Sequence, residues 1–261
     1  MALPIALQPL VTHARRAAFV VDFDGSLAPI VDDPSSARAL PAALDALRRL
    51  VPLLGRVGVV SGRPAAFLMA EVPIAGIELV GLYGLEWAVD GEIVGDERVR
   101  LWLDTIAAVA DEAAAELPGV LVERKGGVSV TLHYRAEPER AEEVRAYALD
   151  LSRRHHLDVP QPGRMAIELR PPVPVDKGTA VTKMIGGSRV AAFAGDDVGD
   201  LPAFDALVRL VHDGTLAHGV RVGVRSSEAP PRILGADVVV DGPPGLAALL
   251  QDLALTISER D

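Results

Sequence analysis

The chain has 261 residues, 49% hydrophobic and 24% charged, with a formal net charge of −10; this suits a soluble, globular protein of one large or two modest domains. It contains no cysteine, which excludes disulfides and thiolate metal sites and suits a cytoplasmic location. The acidity and the 4% aromatic content argue against nucleic-acid binding, which needs a basic face and stacking partners, and no apolar run approaches the ~18 residues of a membrane span.

The chain opens MALPIALQPLVTHARR. Its arginines follow the apolar stretch, the reverse of a signal peptide, so these residues are expected in the mature protein. AAFVV (17–21) is a short apolar run, as in a strand buried on both faces. PAALDALRRLV (41–51) predicts a helix with proline at its start and Leu44, Leu47 and Val51 on one face. VGVV (57–60) predicts a second strand, RPAAFLMAEV (63–72) a helix, and IELVGLYG (77–84) a third strand. This alternation implies a parallel sheet covered by helices.

The middle has a different character. Thr105–Leu117 is alanine-rich and predicted helical, and ERAEEVRAYALDLSRRH (139–155) predicts an amphipathic helix. VSVTLHYR (128–135) alternates Val128, Val130, Leu132 and Tyr134 with Ser129, Thr131, His133 and Arg135; MAIELR (165–170) places Glu168 and Arg170 on its polar face. Strands polar on one face suggest an antiparallel sheet with helices on the other side. After RPPVPVDKG the first pattern returns: RVAAFAG (189–195), VRVGV (220–224) and ADVVV (236–240) as strands, PAFDALVRLV (202–211) and PGLAALLQDLAL (244–255) as helices. The expected fold class is α/β: a doubly wound parallel-sheet core, residues 1–99 and 176–261, with a smaller α+β domain, residues 100–175, inserted. The junctions are expected near Arg98 and within Pro171–Pro174.

Ligands of open parallel sheets bind beyond the carboxyl ends of the strands. The first strand is followed by Asp22 and Asp24 in FVVDFDGSLAPI, VGVV by Ser61, Gly62 and Arg63, and RVAAFAG by Asp196, Asp197 and Asp200 in GDDVGD; Lys177 stands at a predicted helix start. Each piece alone has a plain structural explanation, as a turn, a helix cap or an acidic loop. Together they put five carboxylates at one sheet edge, where they would repel. A hard divalent cation such as Mg²⁺ resolves this. Lys177, one of only three lysines among 26 basic residues, then supplies a compact positive charge for phosphate oxygens, and Ser61 a hydroxyl donor. Of the Asp22–Asp24 pair, one carboxylate can attack phosphorus and the other can serve as acid and base.

DFDGSL, VVSGR, DKG and GDDVGD stand in the order and context of the four motifs of haloacid-dehalogenase-type phosphatases. With DFDGSLAPIVDDP, GLYGLEW, HYR, MAIELRPPVPVDKG and AGDDVGDLPAF, nearly the whole chain resembles the trehalose-6-phosphate phosphatases within them. The resemblance implies Asp22 as nucleophile and Asp24 as acid/base. It implies Mg²⁺ held by Asp22, the Asp24 carbonyl and Asp196, with Asp197 and Asp200 supporting, and phosphate held by Ser61 and Lys177. It makes Gly25, Ser26, Gly62, Arg63, Tyr83 and Glu86 substrate-binding candidates, and the inserted domain a cap over the sugar. Lys125, His133, Arg135, Glu168 and Arg170 are the cap candidates; charged groups suit the many hydroxyls of a disaccharide. The family usually has threonine at Ser26 and Gly199 and histidine at Tyr83. Two alternatives stand beside this reading: the same chemistry on another phosphorylated glycoside, such as a glycosyl-phosphoglycerate or sucrose phosphate, and a non-catalytic sugar-phosphate-binding domain coupled to a partner trehalose-6-phosphate synthase.

Overall fold

The computed structural model describes residues 3–31, 33–163, 165–226 and 229–260. The chain divides into two compact units, Met1–Val94 with Val175–Asp261, and Gly95–Pro174.

The first unit begins with α1 (Gln8–Thr12), β1 (Ala17–Val21), α2 (Pro41–Leu50), β2 (Arg56–Val60), α3 (Ala65–Glu71), β3 (Glu78–Gly81), β4 (Glu86–Val89) and β5 (Glu92–Gly95). The second unit carries α4 (Leu103–Glu116), β6 (Leu121–Lys125), β7 (Ser129–His133), α5 (Ala141–Arg154), β8 (Gln161–Gly163) and β9 (Ala166–Leu169). The chain then returns to the first unit with α6 (Lys177–Met184), β10 (Val190–Gly195), α7 (Leu201–His212), β11 (His218–Arg225), α8 (Pro231–Leu234), β12 (Val238–Asp241) and α9 (Gly242–Ser258).

The large sheet has the order β12-β11-β10-β1-β2-β3-β4-β5. It is parallel from β12 to β3, and β4 runs antiparallel to β3. All residues of β1 and β10 are buried. Their alternate side chains enter two cores: Phe19 and Val21 pack with Leu7, Leu47, Leu50 and Leu250, and Ala18 and Val20 with Val181, Met184, Phe204 and Leu207. Two covered faces explain why β1 reads as an unbroken apolar run, each large side chain contributing about 1.5–3 kcal/mol by burial. From β1 the chain winds outward through β2 and β3; after the second unit it resumes at β10, on the other side of β1, and winds away through β11 and β12. The order therefore reverses between β1 and β10, the crevice where open α/β sheets hold ligands.

One local reading is corrected and another extended. The strand expected over 77–84 ends at Gly81, because Leu82 and Tyr83 adopt φ of 50° and 60° and Gly84 120°, which no strand accommodates. The chain then turns into β4 and β5, joined at Asp90–Gly91 with φ of 51° and 82°, as a type I′ hairpin turn requires. The fully buried residues of α2 are Ala43, Ala46, Leu47 and Leu50, with the expected Leu44 and Val51 partly buried against the same core.

In the second unit the antiparallel sheet has the order β6-β7-β9-β8. Val130, Leu132, Ile167 and Leu169 on one face pack with Ile106, Val109 and Ala113 of α4 and Val144, Ala148 and Leu151 of α5. This is the period-2 strand pattern meeting two helical stripes.

Candidate active site

Asp22 follows β1 and Asp196 follows β10, and the Asp22 amide donates to the Ala194 carbonyl at 2.9 Å. Strand pairing itself thus places both residues at the crevice. Lys177 opens α6, whose cap is closed in both directions: the Thr179 amide donates to Asp176 Oδ1 at 2.7 Å, and the Asp176 amide to Thr179 Oγ1 at 2.9 Å. A reciprocal capping box fixes where a helix begins, so it also fixes Lys177. The Lys177 Nζ donates to Asp22 Oδ1 and Asp200 Oδ1, both at 2.6 Å, and all three side chains are buried. Asp200 Oδ2 accepts the amides of Asp196 at 2.8 Å and Asp197 at 3.1 Å.

The charge does not balance. Asp22, Asp196 and Asp200 each offer an oxygen, all within 4.8 Å of one another, against one ammonium. Burial, and behind it Asp200 and Asp197, pushes the Asp196 carboxyl up to about 8. Burial likewise raises Asp22 and Asp200, with Lys177 the main opposing influence on each. Burial works against the charge of Lys177 too, but Asp200 and Asp22 outweigh it and keep it protonated. Asp196 Oδ1 is buried without a hydrogen-bond partner, an arrangement folded proteins rarely tolerate unless another group supplies the missing contact. Gly25, at φ 81°, lies against the same carboxylate, and a methyl built there would fall 2.1 Å from Asp196 Oδ2. Clustered hard oxygens with one left unpaired fit Mg²⁺.

Asp24 and Asp197 do not bring their carboxylates into this triad. Asp24 is clasped by Arg63, with Nε to Oδ2 and Nη2 to Oδ1 both 2.7 Å, and the guanidinium lies over Phe67, 4.7 Å from the ring centroid. Asp197 is exposed. Ser61 is buried at the end of β2, its Oγ accepting the Arg63 amide at 3.1 Å. Ser26 is buried with its hydroxyl unpaired. Tyr83 lies against Gly62, and Glu86 Oε2 accepts the Ala65 amide at 2.8 Å, tying β4 to the start of α3.

Of the candidates in the second unit, Lys125 and Glu168 come together, Nζ to Oε2 at 3.7 Å, and Ser129 Oγ donates to Glu168 Oε1 at 2.9 Å. His133 instead pairs with Glu123 at 2.7 Å. Arg135 and Arg170 follow the ends of β7 and β9. Reasoning from sequence passed over Ser129 and Glu123, and also Ser226, which hydrogen-bonds Asp196. Ser226 was within reach of the strand-end rule, since it directly follows β11.

Comparison with known proteins shows the family. The trehalose-phosphatase family matches residues 20–233. The trehalose-phosphate phosphatase of Mycobacterium bovis (strain BCG / Pasteur 1173P2) is 35% identical over 273 residues, covering 98% of this chain and 67% of its own length. Two solved structures share the fold: a trehalose-6-phosphate phosphatase related protein (22% identity, TM-score 0.77, covering 94% of this chain and 100% of that one) and the C-terminal domain of the C. albicans trehalose-6-phosphate phosphatase (23% identity, TM-score 0.76, covering 97% and 98%). The chain belongs to the trehalose-phosphatase family and is a phosphatase.

Proposed function

We propose that the chain hydrolyses trehalose 6-phosphate to trehalose and phosphate, dependent on Mg²⁺ and by way of an aspartyl-phosphate on Asp22. The observation that carries this is the buried Asp22–Lys177–Asp200 bridge beside the unpaired Asp196 oxygen at the crevice between β1 and β10. Lys177 engages Asp22 Oδ1, which leaves Oδ2 for phosphorus. Attack by Oδ2 forms the Asp22–phosphorus bond as the bond from phosphorus to the sugar oxygen breaks. Asp24 gives its proton to the departing oxygen, then takes one from the water that attacks phosphorus. That second attack cleaves the aspartyl-phosphate, releasing phosphate and restoring Asp22. For Asp24 to reach the leaving oxygen, its clasp with Arg63 must open.

Asp22, Asp196 and the main-chain carbonyl of Asp24 would hold the cation, with Asp200 steadying Asp196 through its amide. When bound, Mg²⁺ neutralises charge on the transferring phosphoryl group. Ser61 and the amides around Gly62 and Gly25 serve the phosphate oxygens. The inserted unit acts in this reading as the sugar-recognition domain, with the Lys125–Glu168 pair offering donor and acceptor to hydroxyls. The substrate rests on the family and its curated relatives.

The test is phosphate release from a panel of sugar phosphates, with Mg²⁺ and with chelator. Trehalose 6-phosphate should be cleaved at least tenfold faster than glucose 6-phosphate, and only with the cation. Asp22→Asn should lower turnover by more than about a thousandfold, as removal of a covalent nucleophile does. Equal rates on the two sugars refute the substrate, and an active Asp22→Asn protein refutes the nucleophile.

A further inference from the structure

We propose that Tyr83 is a specificity-determining residue, its hydroxyl recognising the alcohol part of the phosphate ester rather than the phosphate. This rests on the phosphatase reading just given and adds a residue that recognises the leaving group.

The turn that carries Tyr83 is built at a cost. Leu82, Tyr83 and Gly84 take φ of 50°, 60° and 120° in succession. Glycine adopts that region freely, whereas leucine and tyrosine are strained there, and such strain persists only where surrounding structure imposes it. Here three backbone hydrogen bonds do so: the Ser61 amide to Val80 O (3.0 Å), the Leu82 amide to Arg63 O (2.9 Å) and the Tyr83 amide to Ser61 O (2.9 Å). The strained turn is thereby locked to the loop 61–63.

That lock delivers a side chain to one place. A methyl built on Gly62 would fall 2.5 Å from the Tyr83 hydroxyl oxygen and 2.6 Å from Cζ. The phenol end therefore rests on Gly62, and a side chain at 62 would displace it. A glycine at 83 would relieve the strain but leave this contact empty. The strain is accounted for if the ring is needed there.

Loop 61–63 carries two groups of the site. Ser61 is the group offered to phosphate, and Arg63 clasps Asp24, the group offered to the leaving oxygen. Tyr83 rests on Gly62, the residue between them in the chain, which in this reading brings it near the leaving group. Its ring is half-buried. A phenol both donates and accepts, and its ring presents an apolar face, which matches a hydroxylated, saturated sugar better than a phosphate oxygen.

The deciding variant is Tyr83→Phe, which keeps the ring on Gly62 and removes only the hydroxyl. It is assayed on trehalose 6-phosphate and on p-nitrophenyl phosphate, whose leaving group has no sugar hydroxyl. The expected result is a roughly tenfold fall in kcat/KM for the sugar phosphate, carried by KM, as loss of one hydrogen bond allows. The fall on the aryl phosphate should be at least fivefold smaller than on the sugar phosphate, at an unchanged melting temperature. Equal losses on both substrates, or no loss on either, overturn the proposal. Should the phenylalanine variant melt lower, Tyr83→His, which retains a donor, is judged by the same ratio of substrates: a ratio held near wild type supports the proposal, and a collapsed ratio overturns it. If the wild type shows no preference for trehalose 6-phosphate, the substrate assignment fails by itself. The role of Tyr83 is then decided on the fastest sugar phosphate.

Discussion

At the scale of single residues, the site is defined by a charge imbalance. Lys177 compensates Asp22 and Asp200 directly, while Asp196 keeps a buried oxygen unpaired and a carboxyl raised to about 8, burial being the main cause. A carboxyl raised in the folded state holds its proton more tightly there than in the unfolded chain. Its contribution to stability is therefore full below the ordinary carboxylate range and is lost as pH rises through about 8. Asp196→Asn removes that penalty. In chelator, wild type and variant should melt alike near pH 4, with the variant ahead by on the order of a few kcal/mol at pH 8.5. Mg²⁺ should reverse the order at high pH, because the cation needs the carboxylate. Parallel melting curves across that range would show that Asp196 is not the strained member of the cluster.

At the scale of elements, α6 converts a helix cap into catalytic placement. Asp176→Ala removes the acceptor for the Thr179 amide and should cost about 1 kcal/mol. Because Lys177 is the next residue, kcat should fall further than this stability loss implies; urea melts and initial rates on the same samples separate the two effects. The strong elements were legible in the sequence because one force formed each. β1 and β10 are apolar on both faces, and α5 is patterned by its core-facing stripe. Elements whose support is tertiary were not. β6, written LVERK, has no alternation of its own and is a strand because β7 pairs with it. The β4–β5 hairpin does carry a signal, Asp90–Gly91, a dipeptide that suits a type I′ turn. Within the site, residues directly following strands could be placed by rule. Which carboxylates meet could not: Asp24 turns to Arg63, and Asp197 lies exposed, for reasons of side-chain rotamer that periodicity does not encode.

At the scale of the whole molecule, the chain holds separate cores rather than one. The second unit buries Ile106, Val109, Leu132, Leu151 and Leu169 against one another, with no residue of the first unit in that cluster. It enters after β5 and leaves before α6, so its ends fall between consecutive elements of the first unit. Expressed alone, Gly95–Pro174 should give a helix-and-strand circular dichroism spectrum and melt cooperatively, with a stability of about 3–5 kcal/mol, as small domains do. A featureless, non-cooperative melt would show that this core depends on the rest of the chain. Among the described residues no helix is long and apolar enough to cross a membrane.

The bridge from Lys177 to Asp22 spans 155 positions of sequence. A chain emerging from the ribosome at about 5–20 residues per second displays both aspartates of the DFDG segment many seconds before Lys177 and Asp196 have been made. During that interval β1 has no β10 beside it, and the acidic pair stands at the border of an unfinished sheet. Phosphatase chemistry is thus withheld from the nascent chain, and activity arrives late and all at once, when β10 docks. The same delay leaves β1, the most apolar strand edge of the first half, open to wrong partners, a cost of building one site from both ends of the chain.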